Sequence, residues 1–267
     1  MRFWAAGLVL ALNTGVGLAC EGTPWSSTQM PETLTRIAAD HGPIAAWYDA
    51  PTARYPHGAL GDPVEGGVLE VLVRDDATCR TTRITLPEVE VFEDTAPRLV
   101  DLDGDGAAEI IVVQAHARLG ARLVVYGLGP DGGSIDLRAA TPNIGTRNRW
   151  LAPLGAADLD GDGAMEIAFV DRPHLARTLQ VWRYQTADDG TATLTQIASR
   201  DGLTNHRFGD PTIPGGIRRC DGPPEMIITD SQWTRVLATT LTRDGDLRTR
   251  DIGSWSQGAL TAALRCR

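Results

Sequence analysis

The chain has 267 residues, and its 25 basic side chains, all arginine, stand against 34 acidic ones for a formal charge of −9. An apolar fraction of 42% excludes wholesale disorder and is enough to build a real core in one large or two small domains. The acidic balance excludes a nucleic-acid-binding surface, which needs a basic stripe.

Arg2 precedes an apolar run over 3–12, which Asn13, Thr14, Gly15 and Gly17 interrupt before Ala19 and Cys20. That order predicts a signal peptide over 1–19, cleaved after Ala19. The run is too short to cross a bilayer comfortably. The mature chain is therefore expected to have no transmembrane segment and to be exported, to the periplasm or the medium. An N-terminal extension over 20–40 and a single domain over 41–267 are expected to follow. Cys20, Cys79, Cys220 and Cys266 can all pair in an exported protein, with three connectivities open. A lipid anchor on Cys20 is the less favoured alternative. It would leave an odd cysteine, and Gly17 stands where a lipoprotein signal usually has a leucine-like residue.

Short β-type runs, divided by Gly, Pro and Asp, fill the rest of the chain. They cover 44–48, 68–73 and 81–86; then 98–102, 110–114, 122–126 and 135–141; then 150–159, 167–170, 179–184 and 193–199; then 213–219, 226–229, 235–241 and 247–252. Two segments repeat: Asp101-Leu-Asp-Gly-Asp-Gly-Ala-Ala-Glu109 and Asp158-Leu-Asp-Gly-Asp-Gly-Ala-Met-Glu166. An eroded third copy ends at Glu225, with Ile217, Arg219 and Asp221 in the other aligned positions. The runs form four sets, and the first lacks an opening strand. The segment 259–264, whose Leu264-Arg265-Cys266 echoes Arg218-Arg219-Cys220, is expected to supply it and close a ring. Closure removes exposed sheet edges.

The repeated acidic segment resembles the FG-GAP, or VCBS, repeat of integrin-α-like β-propellers and of many exported bacterial proteins. The resemblance implies an all-β fold: a β-propeller of about four four-stranded blades, the first completed by the C-terminal strand. Acidic residues at positions one, three, five and nine bring hard oxygens around one point, and glycines at four and six permit the sharp turn, which suits Ca²⁺. The resemblance implies two structural Ca²⁺ sites. One would use Asp101, Asp103, Asp105, Glu109 and the Ala107 carbonyl; the other, Asp158, Asp160, Asp162, Glu166 and the Ala164 carbonyl. Arg219 would place a cation in the third loop, so no third ion is expected.

In that fold the opposite face gathers Arg147, Arg149, Trp150, His174, His206 and Arg207, with Tyr55, His57, Arg172 and Phe208 nearby. Arginine beside an aromatic ring can grip an acidic or sugar ligand. No metal-type histidine spacing, Gly-rich phosphate loop or GxSxG motif is present, so no catalytic residue is assigned. The leading expectation is a non-enzymatic binding module for a protein or polysaccharide partner. One alternative is a carbohydrate- or anionic-polymer-active enzyme with His206 or His174 as base and Arg149 and Arg207 as clamps. Another is a purely structural envelope component.

Overall fold

The computed structural model describes residues 20, 29–75 and 78–267. The signal peptide expected over 1–19 lies outside the described residues. The fold is all-β, with every strand pairing antiparallel.

Four units follow one another along the chain. The first comprises β1 (Thr35–Arg36), β2 (Gly42–Thr52), β3 (Glu65–Asp75) and β4 (Thr78–Thr85). The second comprises β5 (Glu90–Phe92), β6 (Arg98–Val100), β7 (Glu109–His116), β8 (Gly120–Leu128) and β9 (Ile135–Ala140). The third comprises β10 (Leu151–Ala157), β11 (Met165–Asp171), β12 (Thr178–Thr186) and β13 (Ala192–Asp201). The fourth comprises β14 (Leu203–Thr204), β15 (Gly216–Arg218), β16 (Glu225–Asp230), β17 (Arg235–Leu241) and β18 (Leu247–Ser254), and a helix α1 (Gln257–Leu264) follows it. A single β5–β3 pair, Phe92 with Gly66, joins the first two units into one hydrogen-bonded sheet.

In the second and fourth units the inner strand is broken in two. β5 and β6 pair with opposite ends of β7, and β14 and β15 with opposite ends of β16. The chain leaves the sheet over 93–97 and 205–215. In the third unit, β10 runs unbroken along β11, with one bulge between Pro153 and Gly155.

The units stack face to face because their central strands are apolar on both sides. Along β7, Ile110 and Val112 face the first unit, while Ile111, Val113 and Ala115 face the third. Along β11, Ile167 and Phe169 face the second unit, while Ala168 and Val170 face the fourth. A period of two sends alternate residues to opposite faces. Continuous apolar runs are therefore what a doubly covered strand requires.

The outer faces of the stack are covered by the chain's own ends. Ile44, Ala45, Trp47 and Leu72 on the first unit pack against Cys20, Leu34, Ala39 and Cys79, and Cys20 is bonded to Cys79. Ile227, Val236 and Ala238 on the fourth pack against Leu260 and Ala263 of α1, and a Cys220–Cys266 disulfide ties down the residues after it.

The segment 259–264, expected to close the ring as a strand, does not do so. That segment is helical: Ser256 caps it by accepting the Ala259 N–H at 3.0 Å, and its alanines and leucines favour helix. β1 is the opening strand of the first unit, pairing with Ala45 and Ala46 of β2. The central strands of the first and fourth units share no apolar cluster among the described residues, although Ile213 of the 205–215 excursion packs against the cluster that holds Tyr55 and Ala59. The two units meet through loops, where the Gly209 N–H donates to the Ala59 carbonyl at 2.9 Å. Gly61, at φ +99°, lies so close that a Cβ would come within 2.8 Å of the Gly209 oxygen. No helix among the described residues is long and apolar enough to cross a membrane. The two disulfides are the chemistry of an oxidising, non-cytoplasmic compartment.

If α1 is an integral cover of the fourth sheet, Leu260→Ala removes a side chain only 1% exposed from that cluster. The expected cost is about 2–5 kcal/mol of unfolding free energy, read from urea denaturation of the oxidised protein.

Candidate metal centres and the cleft opposite them

The two acidic loops sit on equivalent hairpins, β6–β7 and β10–β11, and fold the same way. Asp101 accepts the Gly104 N–H at 2.7 Å and the Gly106 N–H at 3.1 Å. Asp158 does the same for Gly161 at 2.8 Å and Gly163 at 3.2 Å. The glutamate at position nine is buried at the start of the loop's second strand. Glu109 Oε2 accepts the Leu102 N–H and Glu166 Oε2 the Leu159 N–H, both at 2.8 Å. Carboxylate oxygens of Asp101, Asp103 and Glu109 lie within 4.8 Å of one another, as do those of Asp158, Asp160 and Glu166. Each trio could hold a metal ion. Asp105 and Asp162 stand outside the trios, and each accepts the N–H of Ala107 or Ala164.

The two loops differ in charge balance. No carboxylate of 101–109 is ion-paired among the described residues. Burial, with Asp103, Asp105 and Asp101 adding to it, pushes Glu109 up to about 8. In the second loop Arg183, on β12, reaches Asp160, Asp162 and Glu166 at 2.7, 2.9 and 2.8 Å. Burial still raises Glu166, but Arg183 opposes it. The third loop differs from its expected alignment. Glu225 pairs across the hairpin with Arg218, where Glu109 pairs with Val100 and Glu166 with Ala157. Only six residues, 219–224, lie between, against eight in the other two loops, 101–108 and 158–165. Ile217 is therefore a strand residue, and the arginines on Glu225 are Arg218 at 2.6 Å and Arg250 at 2.8 Å, in place of Arg219.

At the other end of the hairpins lies a cleft of ≈ 220 Å³ whose walls include Arg149, Trp150, Arg172, His174 and Phe208. The break over 205–215 brings His206 behind it. His206 Nε2–H donates to the Asp210 carbonyl at 2.8 Å, so its Nδ1 accepts from His174 Nε2 at 2.8 Å. Both rings titrate low: burial and then His206 lower His174 to about 4, and burial lowers His206. With both nitrogens occupied, His206 is unsuited to the role of base, which leaves His174 Nδ1. Trp150 is buried, donating Nε1–H to the Glu93 carbonyl at 2.8 Å. Of the residues expected on this face, Arg149, Trp150 and His174 line the cleft. Arg207 instead lies 4.4 Å over the rings of both Trp233 and Trp255, and Arg147 lies 5.9 Å over Tyr55.

A buried acidic pair was not foreseen. The break over 93–97 carries Glu93, 0% exposed, whose Oε1 shares a hydrogen bond with His57 Nδ1. Glu93 Oε2 and Glu65 Oε1 have no hydrogen-bond partner among the described residues. Glu65 lines a ≈ 580 Å³ cavity with Asp62 and Asp94. No motif spacing marks these acids; the one signal is Glu93-Asp94 directly after the apolar Val91-Phe92.

Residues 101–169 match the FG-GAP-like repeat family. The match takes in both acidic loops and the strands between them, so the chain is a repeat-containing protein. No curated protein matches it in sequence. Among solved structures, Sqt1 from Saccharomyces cerevisiae is 12% identical with a TM-score of 0.37, covering 73% of this chain and 44% of that one. The exo-beta-1,3-galactanase from Phanerochaete chrysosporium, solved with beta-1,3-galactotriose, is 12% identical with a TM-score of 0.42, covering 84% and 50%. This chain thus matches no more than half the length of either.

Burial, followed by the charge of Glu93, raises Glu65 from 4.5 to about 10. Between those values the unfolded chain ionises Glu65 while the folded chain keeps it protonated. Stability contributed there falls as pH rises. Glu65→Gln is expected to flatten the decline in melting temperature between pH 6 and 9, and to raise the value at pH 9 by about 2–4 °C or more.

Proposed function

We propose that this chain is an exported β-propeller-type module, braced by calcium, which binds an anionic partner without chemical turnover. The four stacked units are its blades, and the periplasm or the extracellular medium of a bacterium is its setting. The partner is a protein or polysaccharide carrying carboxylates. The observation that carries this reading is the composition of the cleft. Two arginines and two histidines, His57 and His174, line it beside Trp150, with Leu175 and Phe208 each 60% exposed, and no carboxylate lines it. Exposed apolar side chains beside guanidinium groups suit stacking together with charge-assisted hydrogen bonds. Such a partner should bind less tightly as salt rises.

Loop 101–109 fits Ca²⁺: its donors are hard oxygens, Glu109 is buried, and no arginine balances it. Bound there, the ion would tie β6 to β7 and neutralise the acids that otherwise repel. A chelator should lower the melting temperature and Ca²⁺ restore it; an ion at a hundred times its Kd contributes about 2.7 kcal/mol. An unchanged melt would remove calcium from this account. Arg149→Gln should weaken binding of an acidic polysaccharide or peptide about tenfold, or about 1.4 kcal/mol, with little change in the melt. Equal binding by wild type and variant would reject the cleft.

One observation favours a second reading, an enzyme acting on carbohydrate. Glu65 holds its proton at neutral pH, as a general acid must, and lines a cavity with three other acids, Glu32, Asp62 and Asp94. Depolymerisation of any polysaccharide in a panel, lost in Glu65→Gln, would favour it over the binding module.

A further inference from the structure

The two acidic loops have the same sequence pattern and the same backbone hydrogen bonds, yet the sheet supplies them with different neighbours. In the second repeat, Glu166 pairs across the β11–β12 hairpin with Arg183. In the first repeat, Ile110 pairs with Tyr126, so Glu109 faces Gly127. A Cβ on Gly127 would lie 3.1 Å from Glu109 Oε1. Arginine thus stands beside one acidic loop where glycine stands beside the other.

Arg183 does more than pair with one acid. Its Nε donates to Glu166 Oε1 at 2.8 Å, one terminal nitrogen reaches Asp160 Oδ2 at 2.7 Å, and the other lies 2.9 Å from Asp162 Oδ2. Three nitrogens of one guanidinium meet three different carboxylates. Both oxygens of the fourth, Asp158, accept backbone N–H groups. Arg243, on the loop after β17, donates to the Gly161 carbonyl at 2.6 Å and brings a second positive charge alongside. Ca²⁺ needs six to eight oxygens at 2.3–2.6 Å. It cannot gather these acids while a guanidinium holds them. Expelling Arg183 would break three charge-assisted bonds, the stronger class of hydrogen bond.

We propose that Arg183 is the resident cation of loop 158–166, so that the chain takes one Ca²⁺, at 101–109, rather than two. The inference rests on the calcium reading above for the first loop. The third loop continues the series: Arg218 and Arg250 both hold Glu225, in a loop two residues shorter than the others. From the first repeat to the third, fixed guanidinium charge replaces the ion. Arginine suits this task because its planar fork satisfies several carboxylates at once and its charge is permanent.

The test is Ca²⁺ stoichiometry of the oxidised, metal-depleted protein, by calorimetric titration and by metal analysis after equilibrium dialysis. Wild type is expected to bind one ion and Arg183→Gln two. Asp103→Asn should bind none, and the double variant Asp103→Asn, Arg183→Gln one. The reciprocal variant, Gly127→Arg, places an arginine beside the first loop and should abolish binding while keeping a β-type circular dichroism spectrum. It keeps the test decisive if Arg183→Gln does not fold. Two ions in wild type would overturn this inference and leave the calcium reading standing. No ion in either wild type or Arg183→Gln would remove the calcium reading and this inference with it. Unchanged binding in Gly127→Arg would show that an arginine at that register does not exclude the ion, and would overturn the inference.

Discussion

Each acidic hairpin of the last three units places a glutamate at the start of its second strand: Glu109 and Glu166, both buried, and Glu225, half-buried. In the first two, one carboxylate oxygen receives the backbone N–H of position two, which holds the loop closed over the strand ends. The other oxygen faces a crowd of acids. A buried carboxylate is tolerated only where something neutralises it. The three loops meet that demand differently. The first leaves room for a cation among hard oxygens, the second inserts Arg183, and the third uses Arg218 and Arg250. The repeat keeps the acid at the same place in the hairpin and changes what surrounds it.

Stacking four two-faced sheets creates a second demand. Every internal face finds a neighbour, but the first and last sheets each have one face left over. The chain covers both with its own termini, and a disulfide fastens each cover. That arrangement explains why the end of the chain is helical. An amphipathic helix presents Leu260 and Ala263 to a sheet face, whereas a strand would add to an edge that β1 already occupies.

The end of the molecule that carries the cleft depends on two breaks in otherwise regular inner strands. Where the chain leaves the second unit it carries Glu93 inward. Where it leaves the fourth it carries His206 and Phe208. Trp150, at the entry to the unbroken third unit, packs against His206 and hydrogen-bonds to the Glu93 carbonyl, so it ties the two excursions together. The result is polarised. A cleft with arginines and neutral histidines lies beside His57 and Glu93, and a cavity lined by carboxylates includes Glu65, on which the charge of Glu93 acts.

By itself the sequence determined what is local. Short β-type runs over 110–114 or 167–170 specify strands, and Asp-Gly-Asp-Gly turns specify acidic hairpins, because both depend on residue type and on glycine's freedom within a few residues. It also put Arg149 and Trp150, in a segment between units, on the same face as His174, in a strand-to-strand loop, and all three line the cleft. Only the tertiary structure decided which acidic loop an arginine reaches, because Arg183 meets its acids by cross-strand register while glycine, Gly127, stands at that register beside the first loop. Only the tertiary structure made the last segment a cover rather than a closing strand, since that turns on which sheet edge is already paired. Glu65 and Glu93 were invisible for the same reason: their burial arises where separate loops converge, and no spacing along the chain records it.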